Sequence, residues 1–390
     1  MSAVQLITGL HYQTGQPVEV AVQNGLVTSI IPVDSMASFK LPYIAPGLID
    51  LQVNGYNGID FNDTSLTVEK VTAITQQLLA QGVTTFLPTI ITNSNSNISL
   101  LLSIIANACR QSDLVRNCIG GIHLEGPFIS PQDGPLGAHD KRYICAPDWE
   151  LFEQWNAASG NRIKMVTLSP EWPEAVAFTR QCVSRGIIVA IGHTAATTAQ
   201  IDAVADAGAT MSTHLGNGTH QVLPRHPNYI WDQLADDRLS AGFIGDGFHL
   251  PASVIKVILK VKGPKVILVS DSVSLAGMPP SNYQTPVGGN VILTNDGKLH
   301  LANKPDTLAG SAKVLVQAII SLVDNKLSTM PEAINLAAIN PARLLGLPQQ
   351  AGLTKGAPAD LILFYRHENR LQIAATYKQG VLVHQSDHHD

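Results

Sequence analysis

Residues 187–218 read IIVAIGHTAATTAQIDAVADAGATMSTHLGNG, and their reading decides the fold. The run 187–193 is apolar almost to its last residue, which suits a strand buried on both faces. Residues 195–207 then read as a helix, ended by Gly208, the residue type that most readily follows a helix C-terminus. A second short run, 209–214, closes on His214. Strand, helix and strand within roughly thirty residues form the βαβ unit of a parallel sheet. Both strands of this unit carry a histidine at the C-terminal end, His193 and His214.

The same alternation continues in both directions. Further strands are expected at 47–53 (GLIDLQV), 83–90 (VTTFLPTI), 119–125 (IGGIHLE), 163–168 (IKMVTL), 239–246 (LSAGFIGD) and 266–271 (VILVSD). A helix over 67–81 places Val68, Val71, Ile74, Leu78 and Leu79 on one stripe. Eight strand–helix repeats over roughly 300 residues have the size of a (β/α)8 TIM barrel. Both chain ends break the alternation. Residues 4–40 and 352–384 read as short hairpins, with Asn24-Gly25 as a tight-turn signal. The expected α/β organisation is a barrel over 45–349 and a small β-sandwich domain built from 1–44 and 350–390.

Composition narrows the function classes. The chain has 390 residues, 45% hydrophobic and 14% charged, which is ample for a large core and excludes disorder. The net charge is −5 with no Lys/Arg run, so nucleic acid is not an expected partner. No apolar run approaches the ~20 residues that span a bilayer, so no membrane partner is expected. Cys109, Cys118, Cys145 and Cys182 form no C-x-x-C pair, and reduced thiols in a cytoplasmic enzyme are the simplest reading. The tail after Val383, with His384, His388 and His389, reads as a solvated terminus.

In a TIM barrel the strand C-termini form the active face. Here Glu125 closes the third strand, His193 the fifth and His214 the sixth; Asp246 and His249 follow the seventh, and Asp271 closes the eighth. One histidine at a strand end is usually structural, but five of six late strands ending in such residues form a constellation around one axis. Two imidazoles and a carboxylate are the usual three-ligand set of a hydrolytic zinc site with one open position. Water at that position has its pKa drawn toward about 7, and Asp271 is placed to take its proton and return it to a leaving amine.

At these motifs the chain resembles the N-acetylglucosamine-6-phosphate deacetylase family of the amidohydrolase superfamily. The similarity spans APGLIDLQVNG (45–55), GIHLEGPFIS (121–130), GAHD (137–140), IGHT (191–194), THLGNG (213–218), DGFHLP (246–251), SDSVSLAG (270–277), TLAGSA (307–312) and GLTKGAPADLILF (352–364). The resemblance implies a homodimer that hydrolyses an N-acetyl amino sugar 6-phosphate to acetate and the free amino sugar phosphate. It assigns Glu125, His193 and His214 as metal ligands and Asp271 as general acid/base. It makes His139 and His249 substrate contacts, His139 polarising the acetyl carbonyl, and brings the backbone amides of Asn217 and Gly218 towards the phosphate. Where many amidohydrolases carry H-x-H, this chain has Gln52 and Asn54, which favours one divalent metal rather than two. Zinc is the first expectation; iron, manganese and cobalt accept the same ligands.

The chain departs from the family in one loop. Where the family reads H-L-x-N-A-M, this chain has His214-Leu215-Gly216-Asn217-Gly218-Thr219. The phosphate arginine of the family is matched by Arg225, beside His220 and His226, and its guanidinium suits a phosphate. These changes touch substrate recognition, so N-acetylgalactosamine 6-phosphate, an unphosphorylated amino sugar and an N-acyl amino acid stay open as substrates. A non-catalytic barrel is disfavoured, because every metal ligand and the strand-eight aspartate are present.

Overall fold

The computed structural model describes residues 3–34, 41–285, 289–368 and 370–386. Parallel strands β1 (Leu48–Val53), β2 (Val83–Ile91), β3 (Ile122–Glu125), β4 (Ile163–Leu168), β5 (Ile188–Ile191), β6 (Met211–Ser212), β7 (Ser240–Ile244) and β8 (Val266–Val269) are hydrogen-bonded in that order. The ring closes just beyond β8, where Val53 bridges Ser272 and the amides of Asn54 and Gly55 donate to the Ser272 carbonyl. Every strand read from the sequence is present, and several are shorter than read. β3 begins at Ile122 because Gly121 has φ 154°, a backbone state outside the strand region. β6 keeps only two paired residues because the chain leaves the ladder to turn at His214, φ 26°.

One apolar cluster joins Ile49, Leu51, Leu87, Met165, Ala190, Met211, Ile244 and Ile267. Side chains from strands all around the ring meet only inside it, so this cluster fills the barrel. A larger cluster lies between strands and helices. The helix Val68–Ala80 occupies the expected span: Thr67 accepts from the Lys70 amide at its start, and Val71, Ile74, Leu78 and Leu79 are buried. The helix Thr198–Asp206 begins later than read, because Gln200 folds back to accept from the Thr197 amide at 2.8 Å and sets the first turn there.

The two ends share one seven-stranded sheet in the order Val381–Gln385, Arg370–Lys378, Leu361–His367, Tyr43–Pro46, Gln5–His11, Pro17–Gln23, Leu26–Pro32. Tyr43–Pro46 joins them, parallel to Gln5–His11 and antiparallel to Leu361–His367. The small β domain of both termini is thus a continuous hydrogen-bonded sheet. Its last strand reaches Gln385, so His384, read as part of a solvated tail, pairs opposite Thr376. His388 and His389 lie outside the described residues. Among the described residues no helix is long and apolar enough to cross a membrane.

A buried ion pair at the sheet reaches the barrel through Thr85 of β2. Lys378 Nζ donates to Asp360 Oδ2 at 2.8 Å and to Thr85 Oγ1 at 3.0 Å, with both charged side chains under 5% exposed. Removing one partner strands a charge in a low dielectric. Asp360→Ala is expected to lower stability by about 3–5 kcal/mol, read as the shift in a urea unfolding midpoint; an unchanged midpoint would remove the pair from the account of how the domains are held.

One element was not foreseen. After β8 the chain forms a four-stranded antiparallel sheet, Ser281–Thr285, Gly289–Leu293, Leu299–Leu301 and Lys304–Leu308. Asn295-Asp296-Gly297 is a hairpin-turn signal between its middle strands. It is legible only once the eighth strand is known to end upstream of it.

Candidate active site

Three of the expected site residues sit in left-handed backbone: His193 (φ 49°), His214 (φ 26°) and Asp271 (φ 47°). Such conformations cost of order 1–3 kcal/mol each outside glycine. The strain falls where β5, β6 and β8 end and each side chain turns out of the strand's alternation.

These turns, with Glu125 on β3, bring four side chains together. Glu125 Oε1 lies 3.0 Å from His214 Nε2 and 3.3 Å from His193 Nε2, and the two imidazole nitrogens are 3.1 Å apart. All three residues are buried. Ligand bonds of about 2.0–2.1 Å to a tetrahedral zinc place donor atoms about 3.3 Å apart, close to the edges of this triangle. His193 Nδ1 lies 2.7 Å from the Pro135 carbonyl, so it carries the ring proton and leaves the Nε2 lone pair free. Two imidazole nitrogens this close beside a carboxylate need a cation or a proton between them. The residues therefore fit a divalent metal.

Gln52 Nε2 donates to both Glu125 oxygens at 3.0 Å. It holds both oxygens of the carboxylate and offers no lone pair of its own at that nitrogen, which is the role the sequence reading missed. Asn54 Nδ2 donates to Asp271 Oδ1 at 2.8 Å. The polar pair at the end of β1 thus holds the two site carboxylates.

Charge follows this geometry. Burial pushes Glu125 up, but its hydrogen bonds to His193 and His214 outweigh that and hold it well below the usual carboxylate range. Burial works against the His214 cation, but the Glu125 carboxylate outweighs it and raises the imidazole to about 9. The metal-free site therefore holds a proton on His214 at neutral pH, and a metal must displace it. Metal affinity is expected to rise about tenfold per pH unit up to about pH 9 and then level off; isothermal titration across pH checks the slope, and a flat profile would contradict a protonated His214. Burial and then the Glu125 charge raise Asp271 to about 6.

The four side chains lie at the floor of a cavity of about 540 Å3, within the usual range for small-molecule sites. His139, His249, Asn217 and Gly218 line it. His139 Nδ1 meets Thr92 Oγ1 at 2.8 Å, and its ring stands edge-on to His193 at 4.4 Å between centroids. Burial holds the His139 imidazole neutral, down at about 3. His249 Nδ1 bonds Asp246 Oδ2 at 2.7 Å, which fixes the ring and explains why that aspartate follows β7. Gly218 is more than a flexible substitute: at φ 59°, a Cβ there would fall 2.7 Å from His193 Nδ1.

Arg225 is not brought into this cavity. It is exposed on the loop before the helix Tyr229–Ala235, and among the described residues no Lys or Arg lines the cavity. The loop carries Arg225 away because its nearby polar groups bond locally: His220 pairs with the Tyr229 hydroxyl at 2.9 Å, and Asn228 caps the following helix. His226 is exposed. The opposite wall comes from the unforeseen sheet, through Thr285, Leu299, Asp306 and Thr307, with Asp60 and Asn62 from the segment after β1.

Comparison with known proteins agrees with this architecture. The model of the amidohydrolase family matches residues 43–383. An N-acetylglucosamine-6-phosphate deacetylase of Lysinibacillus sphaericus is 31% identical over 343 residues, 87% of this chain and 84% of that protein. An N-acetylgalactosamine-6-phosphate deacetylase of Escherichia coli O157:H7 is 28% identical, covering 94% of each chain. The crystal structure of a mutant N-acetyl-D-glucosamine-6-phosphate deacetylase from Mycobacterium smegmatis, in complex with N-acetyl-D-glucosamine-6-phosphate, superposes with a TM-score of 0.84 at 28% identity, over 98% of this chain and 100% of that one. Since the family match runs from the joining strand of the terminal sheet through every strand of the barrel, the chain belongs to the amidohydrolase family, within its N-acetylglucosamine-6-phosphate deacetylases.

Proposed function

We propose that this protein hydrolyses the N-acetyl amide of N-acetylglucosamine 6-phosphate, giving acetate and glucosamine 6-phosphate. The observation that carries this reading is the Glu125–His193–His214 triangle beside the Asp271 carboxylate on one cavity floor. A single zinc ion held by Glu125, His193 and His214 supplies a Lewis acid for the water and the acetyl oxygen. Gln52 supports the one-metal reading, because its amide nitrogen faces Glu125 rather than a second cation. Asp271 takes the water proton as the amide carbon is attacked and passes it to the departing amine. His139, neutral and beside His193, donates to the oxygen that gains negative charge. His249 and the amides of Asn217 and Gly218 orient the sugar phosphate. The catalytic unit is residues 45–349, with 1–44 and 350–390 as the small domain, in a cytoplasmic homodimer. The four free cysteines agree with that compartment.

The absence of Lys and Arg from the described cavity lining favours a second reading, deacetylation of an unphosphorylated amino sugar. Acetate release separates the two. With N-acetylglucosamine 6-phosphate, its galactosamine epimer, free N-acetylglucosamine and N-acetyl amino acids as substrates, kcat/KM is expected to be highest for the first. A higher value for the unphosphorylated sugar would replace the first reading with the second.

A further inference from the structure

A neutral imidazole donates from only one of its two nitrogens. The proposed reaction asks His139 to donate to the acetyl oxygen, so the tautomer of this ring decides whether it can act. Nδ1 faces Thr92 Oγ1 at 2.8 Å, while Nε2 bonds none of the described residues. His139 borders the cavity. Two arrangements satisfy the distance. If Nδ1 carries a proton, in a neutral or a cationic ring, Thr92 only accepts, and its own hydroxyl proton is left without an acceptor. Thr92 is 4% exposed and makes no other hydrogen bond among the described residues, so that arrangement strands a buried donor. If Thr92 donates to Nδ1, both groups are satisfied and the ring proton sits on Nε2. The hydroxyl is packed against Gly126, where a Cβ would collide with Oγ1, and this close fit keeps it on His139.

We propose that Thr92, the first residue after β2, is a positioning residue whose hydroxyl donates to His139 Nδ1 and so fixes the tautomer that presents Nε2–H to the acetyl oxygen. This rests on the deacetylase reading above. Thr92 touches no substrate; it acts through the histidine, as the partners that orient histidines in metal sites do.

Thr92→Val preserves shape and removes the donor, and Thr92→Ser preserves the donor. With the N-acetyl substrate, Thr92→Val is expected to lower kcat about 10–100-fold, with KM and metal content unchanged, and Thr92→Ser to recover most of the loss. The decisive measurement repeats this with the N-trifluoroacetyl analogue. Its electron-poor carbonyl needs less help from a donor, so the loss in Thr92→Val is expected to shrink several-fold. Equal losses on both amides, unchanged turnover in Thr92→Val, loss of metal, or no recovery in Thr92→Ser would each overturn the proposal. The wild-type enzyme keeps the two readings apart: if it releases acetate and the losses are equal, only the role of Thr92 fails; if it releases none, the deacetylase reading fails and takes this one with it.

Discussion

Asp271→Asn is expected to lower kcat about a thousandfold while leaving the metal in place. Proton transfer by a positioned side chain contributes about 10²–10⁴-fold, and a thousandfold loss corresponds to about 4 kcal/mol of barrier. The substitution is nearly isosteric, and asparagine tolerates left-handed backbone better than most residues, so φ 47° at this position is kept. The contact from Asn54 Nδ2, 2.8 Å away in the native site, can still be accepted by the amide oxygen. What the amide cannot do is take a proton from water. The pH profile carries the same assignment. Asp271 acts as a base only when ionised, and burial with the Glu125 charge raises it to about 6. The native rate is therefore expected to fall as pH drops through and below that value, the limb lying lower once a cation sits beside the carboxylate. The variant's residual rate should lack this limb. Turnover within tenfold of native, with full metal content, would take Asp271 out of the proton-transfer role.

The second large effect is at Glu125. Glu125→Gln replaces an anionic ligand by a neutral amide and removes the charge that raises His214. Partners one step removed from a metal already cost about 10–100-fold in affinity when lost, so loss of the ligand itself is expected to exceed about 100-fold. Gln52 Nε2 reaches both carboxylate oxygens in the native site and keeps only the amide oxygen as acceptor in the variant. Elemental analysis after dialysis should find the variant depleted of metal, inactive, and partly restored by excess zinc. An unchanged melting temperature in the apo form would show that folding is not the cause. Full metal content would instead assign the ion to other ligands.

Much of this was written in the sequence because the signals are local. Each barrel strand is a short apolar run, and each site residue closes or follows one. Glu125, His193, His214 and Asp271 could therefore be placed together once eight such runs had been counted. Those four meet as expected on one floor. The partners of these residues could not be read the same way. In the sequence Gln52 and Asn54 show only that the H-x-H ligands are missing, yet they hold Glu125 and Asp271 through contacts 73 and 217 residues apart in the chain. The motif at Arg225 matches a phosphate arginine, but loop conformation decides where a side chain goes, and here, with local bonds at His220 and Asn228, Arg225 lies exposed outside the cavity lining.

The sequence by itself determined the barrel, the joining of both ends in one small β domain and the four polar side chains at the strand ends. Hydrophobic periodicity and strand-end position are properties of neighbouring residues, and they survive without coordinates. Only the tertiary structure decided that Glu125 Oε1, His193 Nε2 and His214 Nε2 form a triangle of 3.0–3.3 Å edges. It alone showed that a further sheet, within 281–285 and 289–308, walls the cavity, and that the described lining carries no Lys or Arg. Those facts depend on where chain segments far apart in sequence come to rest. Ring closure and loop packing set that, and no local pattern encodes it.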